Sequence, residues 1–118
     1  LSSSKAKKGK KKNIILYIEH MIEQHFNEEF NLDRLSENIG LTKSHMCRVF
    51  KQETEETIMS RLLERRLQEA AELLQFSALN VSEICFKCGF NNLSYFYRAF
   101  TRRNGLNPGE YRKKFALH

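Results

Sequence analysis

Proline and glycine are scarce in this chain, whose 118 residues include one Pro and five Gly. In a sequence full of Leu, Glu, Lys and Arg, that scarcity indicates helices and argues against strands or low-complexity segments. No apolar run approaches the roughly 20 residues that a transmembrane helix requires. Residues 1–12 carry lysines with no apolar segment behind them, so they do not resemble a signal peptide. The sequence therefore predicts an all-α protein, either one compact domain or two small subdomains that share a helix. It has no initial Met, and we expect it to be a fragment of a longer protein.

Cysteine is also rare, with Cys47, Cys85 and Cys88 as the three examples. Without a secretory signal, they are predicted to be free thiols in a reducing compartment. Cys85 and Cys88 form a C-x-x-C pair, but a structural zinc site needs four ligands and only Cys47 and His45 remain as candidates. We expect small buried helix residues here, with no metal and no cofactor.

Signatures of catalysis are missing as well. No nucleophile stands beside a His at a meaningful spacing, no carboxylate pair stands out, and no Gly-rich phosphate loop is present. The sequence therefore argues against an enzyme.

Charge is present in quantity, but it is unevenly placed. Six lysines at positions 5–12 account for the whole net charge of +6, and the other 14 basic residues balance the 14 acidic ones. Residues 13–41 hold six acidic residues against Arg34 alone, whereas residues 98–114 hold six basic residues against Glu110 alone. Such segregation creates a surface that attracts anions. Residues 1–12 are interpreted as a disordered basic linker or a cloning remnant, with an arm that contacts phosphates as the alternative.

The first half of the chain contains a predicted helix–turn–helix. After a helix from about Asn13 to Phe26, Asn31 is a good N-cap for a short helix through Asn38. Gly40 supplies a left-handed turn residue, and Thr42 caps the next helix. These signals predict a first helix-turn-helix at about residues 31–53.

A long helix is predicted at about residues 57–75. Its apolar stripe is expected to face inward: Ile58, Met59, Leu62, Leu63, Leu67, Ala70, Ala71 and Leu74. Its three arginines, Arg61, Arg65 and Arg66, either hold the scaffold by pairing with Glu64 or Glu69 or contact phosphates. We favour the scaffold role.

The second half repeats the arrangement. A capping box opens at Asn80, Gly89 marks the turn, and Asn91 or Asn92 caps the following helix, which predicts a second helix-turn-helix at about residues 80–103. A further box at Asn107 then starts a final helix at about residues 108–115. That helix has Pro108 in its first position, is expected to bury Tyr111 and Phe115, and is expected to expose Arg112.

The two halves match as an internal repeat. Gly40 corresponds to Gly89 at a separation of 49 residues, and Phe50 corresponds to Phe100 at a separation of 50. Each copy has an outward face at helical spacing. The first outward face is Ser44, Cys47, Arg48 and Lys51, and the second outward face is Ser94, Tyr97, Arg98 and Thr101. One such face suits any surface helix, but an Arg at the same outward position of both copies suits a pair of helices in DNA grooves, because a guanidinium can donate to guanine O6 and N7 together.

These residues resemble the AraC family of bacterial transcription regulators, in its paired helix-turn-helix DNA-binding domain. The resemblance covers about residues 13–115 and is most specific in the second half: Ile84, Gly89, Phe90, Ser94, Tyr95, Phe96, Arg98, Phe100, Gly105, Pro108, Tyr111 and Arg112. Supporting residues precede it: Leu35, Ile39, Leu41, Phe50, Lys51, Arg66, Leu67, Ala70, Leu73 and Leu74. The resemblance implies seven helices in two subdomains joined by the long helix. It also implies sequence-specific binding of double-stranded DNA, with the third and sixth helices in successive major-groove segments.

The resemblance also implies site residues and partners. The expected base-contacting residues are Ser44, Cys47, Arg48, Asn92, Leu93, Ser94, Tyr97 and Arg98. The expected phosphate-contacting residues are Thr42, Lys43, Lys51, Thr101, Arg102, Arg103, Lys113 and Lys114. RNA polymerase is an expected partner, a sensing or dimerising part is expected elsewhere in the parent protein, and the expected location is the bacterial cytoplasm, at the nucleoid.

Some positions depart from the family pattern. Glu55 stands where a helix-ending Gly is usual, so that loop is expected to run differently. Ser36 and Cys85 each replace a usual Ala. Cys47 is unusual for a base contact, so the helix that follows Thr42 is expected to contact mainly phosphate.

The competing function is a helical protein-interaction module, in which the acidic residues of 13–41 would contact a partner protein.

Overall fold

Seven α-helices make up the part of the chain that the structure describes. The computed structural model describes the backbone of residues 2–117 and the side chains of residues 9–117. Over that range the helices are α1 Ser2–His25, α2 Leu32–Ile39, α3 Lys43–Thr54, α4 Ile58–Phe76, α5 Val81–Lys87, α6 Leu93–Asn104 and α7 Pro108–Phe115. The prediction of an all-α, seven-helix chain is confirmed. Unit one contains α1 to α3 and α4 as far as Leu62, and unit two contains residues 26–29 and the chain from Leu63 onward.

Helix α1 begins eleven residues before the predicted start at Asn13. The prediction that residues 1–12 form a disordered linker is wrong for residues 2–12, whose backbone is helical; residue 1 lies outside the described part. The physical reason is that Lys and Ala favour helix and that no Pro interrupts the run. Once the packed part of α1 has nucleated the helix, each further residue adds a hydrogen bond at little cost.

Unit one has a small apolar core drawn from all its helices. Its buried apolar residues are Ile18, Ile22, Leu35, Met46, Val49, Phe50, Ile58 and Leu62. Ser36 is buried beside them, and its hydroxyl donates to the Asp33 carbonyl at 2.8 Å. The Ser that replaces a usual Ala therefore has a hydrogen-bond partner, as a buried hydroxyl requires.

The predicted helix caps are confirmed. The side chains of Asn31, Thr42, Asn80, Asn92 and Asn107 each accept a hydrogen bond from the backbone N–H three residues later, at 2.7–3.1 Å. The caps at Asn80 and Asn107 are complete capping boxes. Each cap satisfies a backbone donor that would otherwise lack a partner, so helix starts are set locally.

The loop at Glu55 does not run differently from a glycine loop, contrary to expectation. Glu55 itself adopts the left-handed conformation (φ 64°), and its N–H donates to the Lys51 carbonyl at 2.9 Å. Gly105 occupies the matching place in the second copy (φ 75°), with its N–H 2.8 Å from the Thr101 carbonyl. The Lys51 ammonium donates to the Glu55 carbonyl at 3.1 Å, which helps to hold this conformation.

Unit two is built around a chain of aromatic rings. Phe96 lies 4.9 Å from Phe90 and 5.7 Å from Phe100, and Phe100 meets Tyr111 edge-on at 5.2 Å. The remaining buried apolar residues of this core are Leu67, Ala70, Ala71, Leu74, Ile84, Cys85 and Cys88.

Three predictions of burial or exposure are wrong. Met59 is 47% exposed and Phe115 is 43% exposed, although both were expected to be buried. Arg112 was expected at the surface, but its guanidinium donates to the carbonyls of Leu74 at 3.1 Å and Ser77 at 3.1 Å. The last carbonyls of a helix have no partner within the helix, and Arg112 supplies donors to the end of α4.

The scaffold role of the α4 arginines is confirmed, partly with other partners than predicted. Arg65 pairs with Glu69 at 3.2 Å, as expected. Arg61 pairs with Glu56 at 2.6 Å and with Glu19 at 3.4 Å.

Arg66 of α4 holds a turn of the backbone instead of a carboxylate. Its Nε donates to the Phe26 carbonyl at 2.7 Å and its Nη2 to the Glu28 carbonyl at 2.9 Å. Burial lowers the pKa of Arg66, while the nearby Tyr95 opposes that shift. Arg65 lies over the Phe26 ring at 4.1 Å, so both arginines anchor residues 26–29 within unit two.

Candidate nucleic-acid interface

Helix α3 presents the first outward face by burying its opposite side. Met46 and Phe50 are fully buried. At helical spacing this turns Ser44, Arg48 and Lys51 toward solvent, and all three are exposed. Cys47 is half-buried, as a residue at the edge of that face would be.

Helix α6 presents the second outward face in the same way. Phe96 and Phe100 are fully buried, and Ser94, Tyr97, Arg98 and Thr101 are exposed. Asn92 and Leu93 lie at the start of the helix. The Asn92 side-chain oxygen is engaged as the cap of Tyr95 N–H, which leaves its amide NH₂ group to donate to a base edge.

Arg48 and Arg98 differ from most other arginines of the chain. Neither guanidinium forms a hydrogen bond or ion pair with any residue that the structure describes, and both side chains are exposed. Because each guanidinium carries five donors in a planar fork, both remain available for a ligand with paired acceptors.

The expected phosphate-contacting residues divide into free and engaged groups. Arg102 and Lys113 have no ion-pair partner among residues 9–117. Lys43 lies 3.5 Å from Asp33, and the Lys114 ammonium lies 5.5 Å from the Phe115 ring. Exposed pairs of this kind are worth little, so these lysines can exchange their contacts for phosphate.

Hydroxyl groups of the expected phosphate set already have partners. Thr101 donates its hydroxyl proton to the Tyr97 carbonyl at 2.7 Å, and the Thr42 oxygen caps His45 N–H at 3.1 Å. The Thr101 hydroxyl must therefore exchange its partner before it can donate to phosphate.

Arg103, one of the expected phosphate-contacting residues, forms an ion pair within the protein. Its Nη2 lies 2.6 Å from Glu64 Oε1, and its Nε lies 2.9 Å from both carboxylate oxygens. The hydrogen bond to Glu64 raises the pKa of Arg103, and burial opposes that shift. A bidentate pair of this geometry orients both side chains.

Arg102 and Arg103 are adjacent in α6, and comparing them tests which of the two contacts phosphate. We expect Arg102→Ala to weaken binding to all DNA sequences about equally and to reduce the salt slope of log K by about one. Arg103→Ala is expected to leave the salt slope nearly unchanged and to lower thermal stability slightly. Titrations by fluorescence anisotropy at several salt concentrations would measure both, and a larger loss of slope for Arg103→Ala would contradict this division.

Arg34 of α2 was not among the predicted site residues. It is exposed, and its guanidinium has no partner within the described side chains. The sequence contained little to indicate a site residue here, because Arg34 lies within the acidic segment 13–41.

Cys85 and Cys88 are both buried in the core of unit two. In the part of the chain that the structure covers, no group of three or more His, Cys, Asp or Glu residues could hold a metal ion. Burial, with a smaller contribution from Glu69, raises the pKa of Cys88 to about 12, and burial also raises the pKa of Cys85. Both thiols are therefore protonated at neutral pH, which suits a packing role. Among the described helices, none is long and apolar enough to cross a membrane.

Comparisons with known proteins agree with this geometry. A family model described as a helix-turn-helix domain matches residues 35–114. The HTH-type transcriptional regulator in the cgkA 5′ region of Pseudoalteromonas carrageenovora is 32% identical over 104 residues, which are 88% of this chain and 59% of that protein. The xylose operon regulatory protein of Escherichia coli K12 is 32% identical over 93 residues, 79% of this chain and 24% of that protein.

Among solved structures, the C-terminal domain of AraT, a response regulator from Geobacillus stearothermophilus, superposes with a TM-score of 0.84. It is 27% identical, and the match covers 89% of this chain and 88% of that one. The chain thus spans a quarter to three-fifths of the length of these two curated relatives but nearly all of the solved C-terminal domain.

Proposed function

Since the chain belongs to the AraC-type helix-turn-helix family of transcription regulators, we propose that it binds duplex DNA sequence-specifically, with α3 and α6 in successive major-groove segments. The observation that carries the proposal is which arginine side chains have partners within the protein and which do not. Arg48 and Arg98 occupy equivalent positions of the two copies, and both guanidinium groups are exposed without a partner among the described residues. In contrast, Arg61, Arg65, Arg66, Arg103 and Arg112 are held by protein acceptors.

Each outward face combines one free Arg with smaller polar groups. Arg can donate two hydrogen bonds to one guanine, and Ser can donate to or accept from the edges of bases. Tyr97 and Leu93 of α6 are 36% and 38% exposed, and they offer apolar contact to a thymine methyl group. Because Cys47 is half-buried, we assign α3 fewer base contacts than α6.

Phosphate contacts supply orientation and salt-dependent affinity. We assign them to Lys43, Lys51, Arg102, Lys113 and Lys114, with Thr42 and Thr101 as hydroxyl contacts. Thr101 must first exchange its partner, whereas the Thr42 hydroxyl proton is free to donate. The exposed starts of α3 and α6 add backbone N–H donors.

The greater lengths of the relatives support a proposal about the parent protein. We propose that this chain is the DNA-binding part of a longer bacterial regulator that acts at the nucleoid. A sensing or dimerising part would lie elsewhere in that protein, and RNA polymerase would be its partner in transcription.

Replacing Arg98 with Ala tests whether this residue contacts a base. We expect the variant to lose about 1–3 kcal/mol of discrimination at one base position, because a bidentate contact to guanine is lost. Lys51→Ala is the matched comparison from the other outward face, and it is expected to lower affinity for all sequences about equally. Binding-site selection from a random DNA library, followed by titration of matched and mismatched sites, measures both effects.

Two outcomes would contradict the proposal. If Arg98→Ala selected the same DNA motif as the wild-type chain, Arg98 would not contact a base. No binding to any duplex at low salt would favour the alternative, a helical protein-interaction module.

A further inference from the structure

Helices α2, α5 and α7 all begin with an Asn cap, but they differ three residues after it. At that position α5 has Glu83 and α7 has Glu110, and each carboxylate accepts from the backbone N–H of its own cap, at 3.4 and 2.9 Å. Helix α2 has Arg34 there. A guanidinium carries donors only, so Arg34 cannot accept that hydrogen bond, and helix capping does not account for it.

Arg34 is also electrostatically unfavourable for α2. The first turn of a helix carries a partial positive charge, which favours Asp or Glu there and disfavours a cation. Asp33 directly precedes Arg34 and Glu37 follows it by three residues, yet the guanidinium forms no ion pair with either carboxylate. The α2 helix itself therefore gives no physical reason for an Arg at this position.

The first turn of α2 lies beside the start of α3 in unit one. The Asp33 carboxylate is 3.5 Å from the Lys43 ammonium, and Arg34 is the next residue of α2, with an exposed side chain. In DNA-binding helix-turn-helix units the second helix lies in the major groove and the first helix crosses the DNA backbone. Arg34 is thus on the helix expected to cross the backbone, in the turn nearest to Lys43, which is one of our phosphate contacts.

From this placement we propose that Arg34 binds a DNA phosphate beside the one that Lys43 contacts. The planar guanidinium can donate two hydrogen bonds to one phosphate group, and no protein acceptor in the described part of the chain competes for them. The inference rests on the proposed function and adds to it a contact that positions unit one on the duplex.

The repeat makes this contact specific to the first copy. The equivalent residue of the second copy is Glu83, whose carboxylate serves the capping box of α5 and would repel a phosphate. The two copies would therefore hold the DNA backbone unequally. This division agrees with the smaller number of base contacts assigned to α3, because phosphate contacts fix position and base contacts give specificity.

Arg34→Gln tests the contact through binding and stability together. Gln can accept from the N–H of the cap, so the variant is expected to keep its thermal midpoint or to raise it by up to about 3 °C. Its affinity for duplex DNA is expected to fall about three- to tenfold at 0.1 M salt for selected and random sequences alike. The salt slope of log K should fall by about one. Fluorescence anisotropy at several salt concentrations and thermal unfolding followed by circular dichroism measure these effects.

Arg34→Lys and Lys10→Gln are the matched variants. Arg34→Lys keeps the charge and should retain the salt slope of the wild-type chain. Lys10→Gln removes the same charge from an exposed position of α1 and should change the slope by less than about 0.3. Lys10 is a suitable control because the neighbouring Lys11 lies 3.8 Å from Glu53, on the side of α3 away from the first outward face.

Binding by the wild-type chain separates this inference from the proposed function. If the wild-type chain binds no duplex, the proposed function fails and the contact fails with it. If the wild-type chain binds but Arg34→Gln has the same affinity and slope, or loses no more than Lys10→Gln, only the assignment of Arg34 is overturned. An Arg34→Lys slope as low as that of Arg34→Gln, or a thermal midpoint of Arg34→Gln lowered by more than about 3 °C, would also overturn it.

Discussion

Phe100→Ala is expected to lower the free energy of unfolding by about 3–5 kcal/mol, which is much of the stability of a small domain. Phe100 is fully buried and contacts rings on both sides, at 5.7 Å to Phe96 and 5.2 Å to Tyr111. Truncation removes the apolar burial of one ring, the two ring contacts and the packing between α6 and α7. Urea denaturation followed by circular dichroism measures the loss.

Phe86 provides the control for Phe100 within the same unit. It is 54% exposed, so Phe86→Ala leaves no cavity and is expected to change the free energy of unfolding by about 0.5 kcal/mol or less. Similar losses in the two variants would mean that the rings of α6 do not form the core of unit two. Because Phe100 backs the second outward face, Phe100→Ala should also reduce DNA affinity through the loss of folded protein.

Gly89→Ala is expected to cost about 3 kcal/mol or more, for two reasons that add. Gly89 has φ 97°, a left-handed conformation that strains any residue with a Cβ atom. In addition, a Cβ at this position would lie 2.7 Å from the Phe26 carbonyl oxygen and 2.9 Å from Arg66 Nε. Those two atoms are bonded to each other at 2.7 Å, so neither can withdraw without breaking the anchor of residues 26–29.

Gly105 allows the backbone strain to be measured apart from the steric clash of the added Cβ atom. Its φ of 75° is also left-handed, but a Cβ added there would meet nothing within 4 Å. We expect Gly105→Ala to cost only the conformational strain, about 1 kcal/mol. Thermal and urea unfolding of both variants give the comparison. Equal costs would show that the turn at Gly89 relaxes around the added methyl group.

Much of the local structure could be predicted from the sequence. The caps at Asn31, Thr42, Asn80 and Asn107 and the left-handed turn at Gly40 lie where their residue types indicated. Apolar spacing likewise identified the buried sides of α3 and α6. These signals are reliable because a cap, a turn or a helical face depends on atoms within three or four residues along the chain.

The ends of the apolar stripes were predicted less well. Met59 and Phe115 have the spacing of buried residues, but they are 47% and 43% exposed, although Ile58, directly before Met59, is buried. Periodicity identifies the side of a helix that faces the core, but not how far along the helix that core extends.

What the sequence by itself determined is the succession of capped helices, the repeat of the two outward faces and the identity of the two matching arginines. Only the tertiary structure decided which arginines remain free for DNA. Arg66, Arg103 and Arg112 bond to acceptors 40, 39 and 38 residues away, respectively. A guanidinium at the end of a long flexible side chain binds whichever acceptor the fold brings to it, and no short-range pattern encodes an acceptor so distant in sequence.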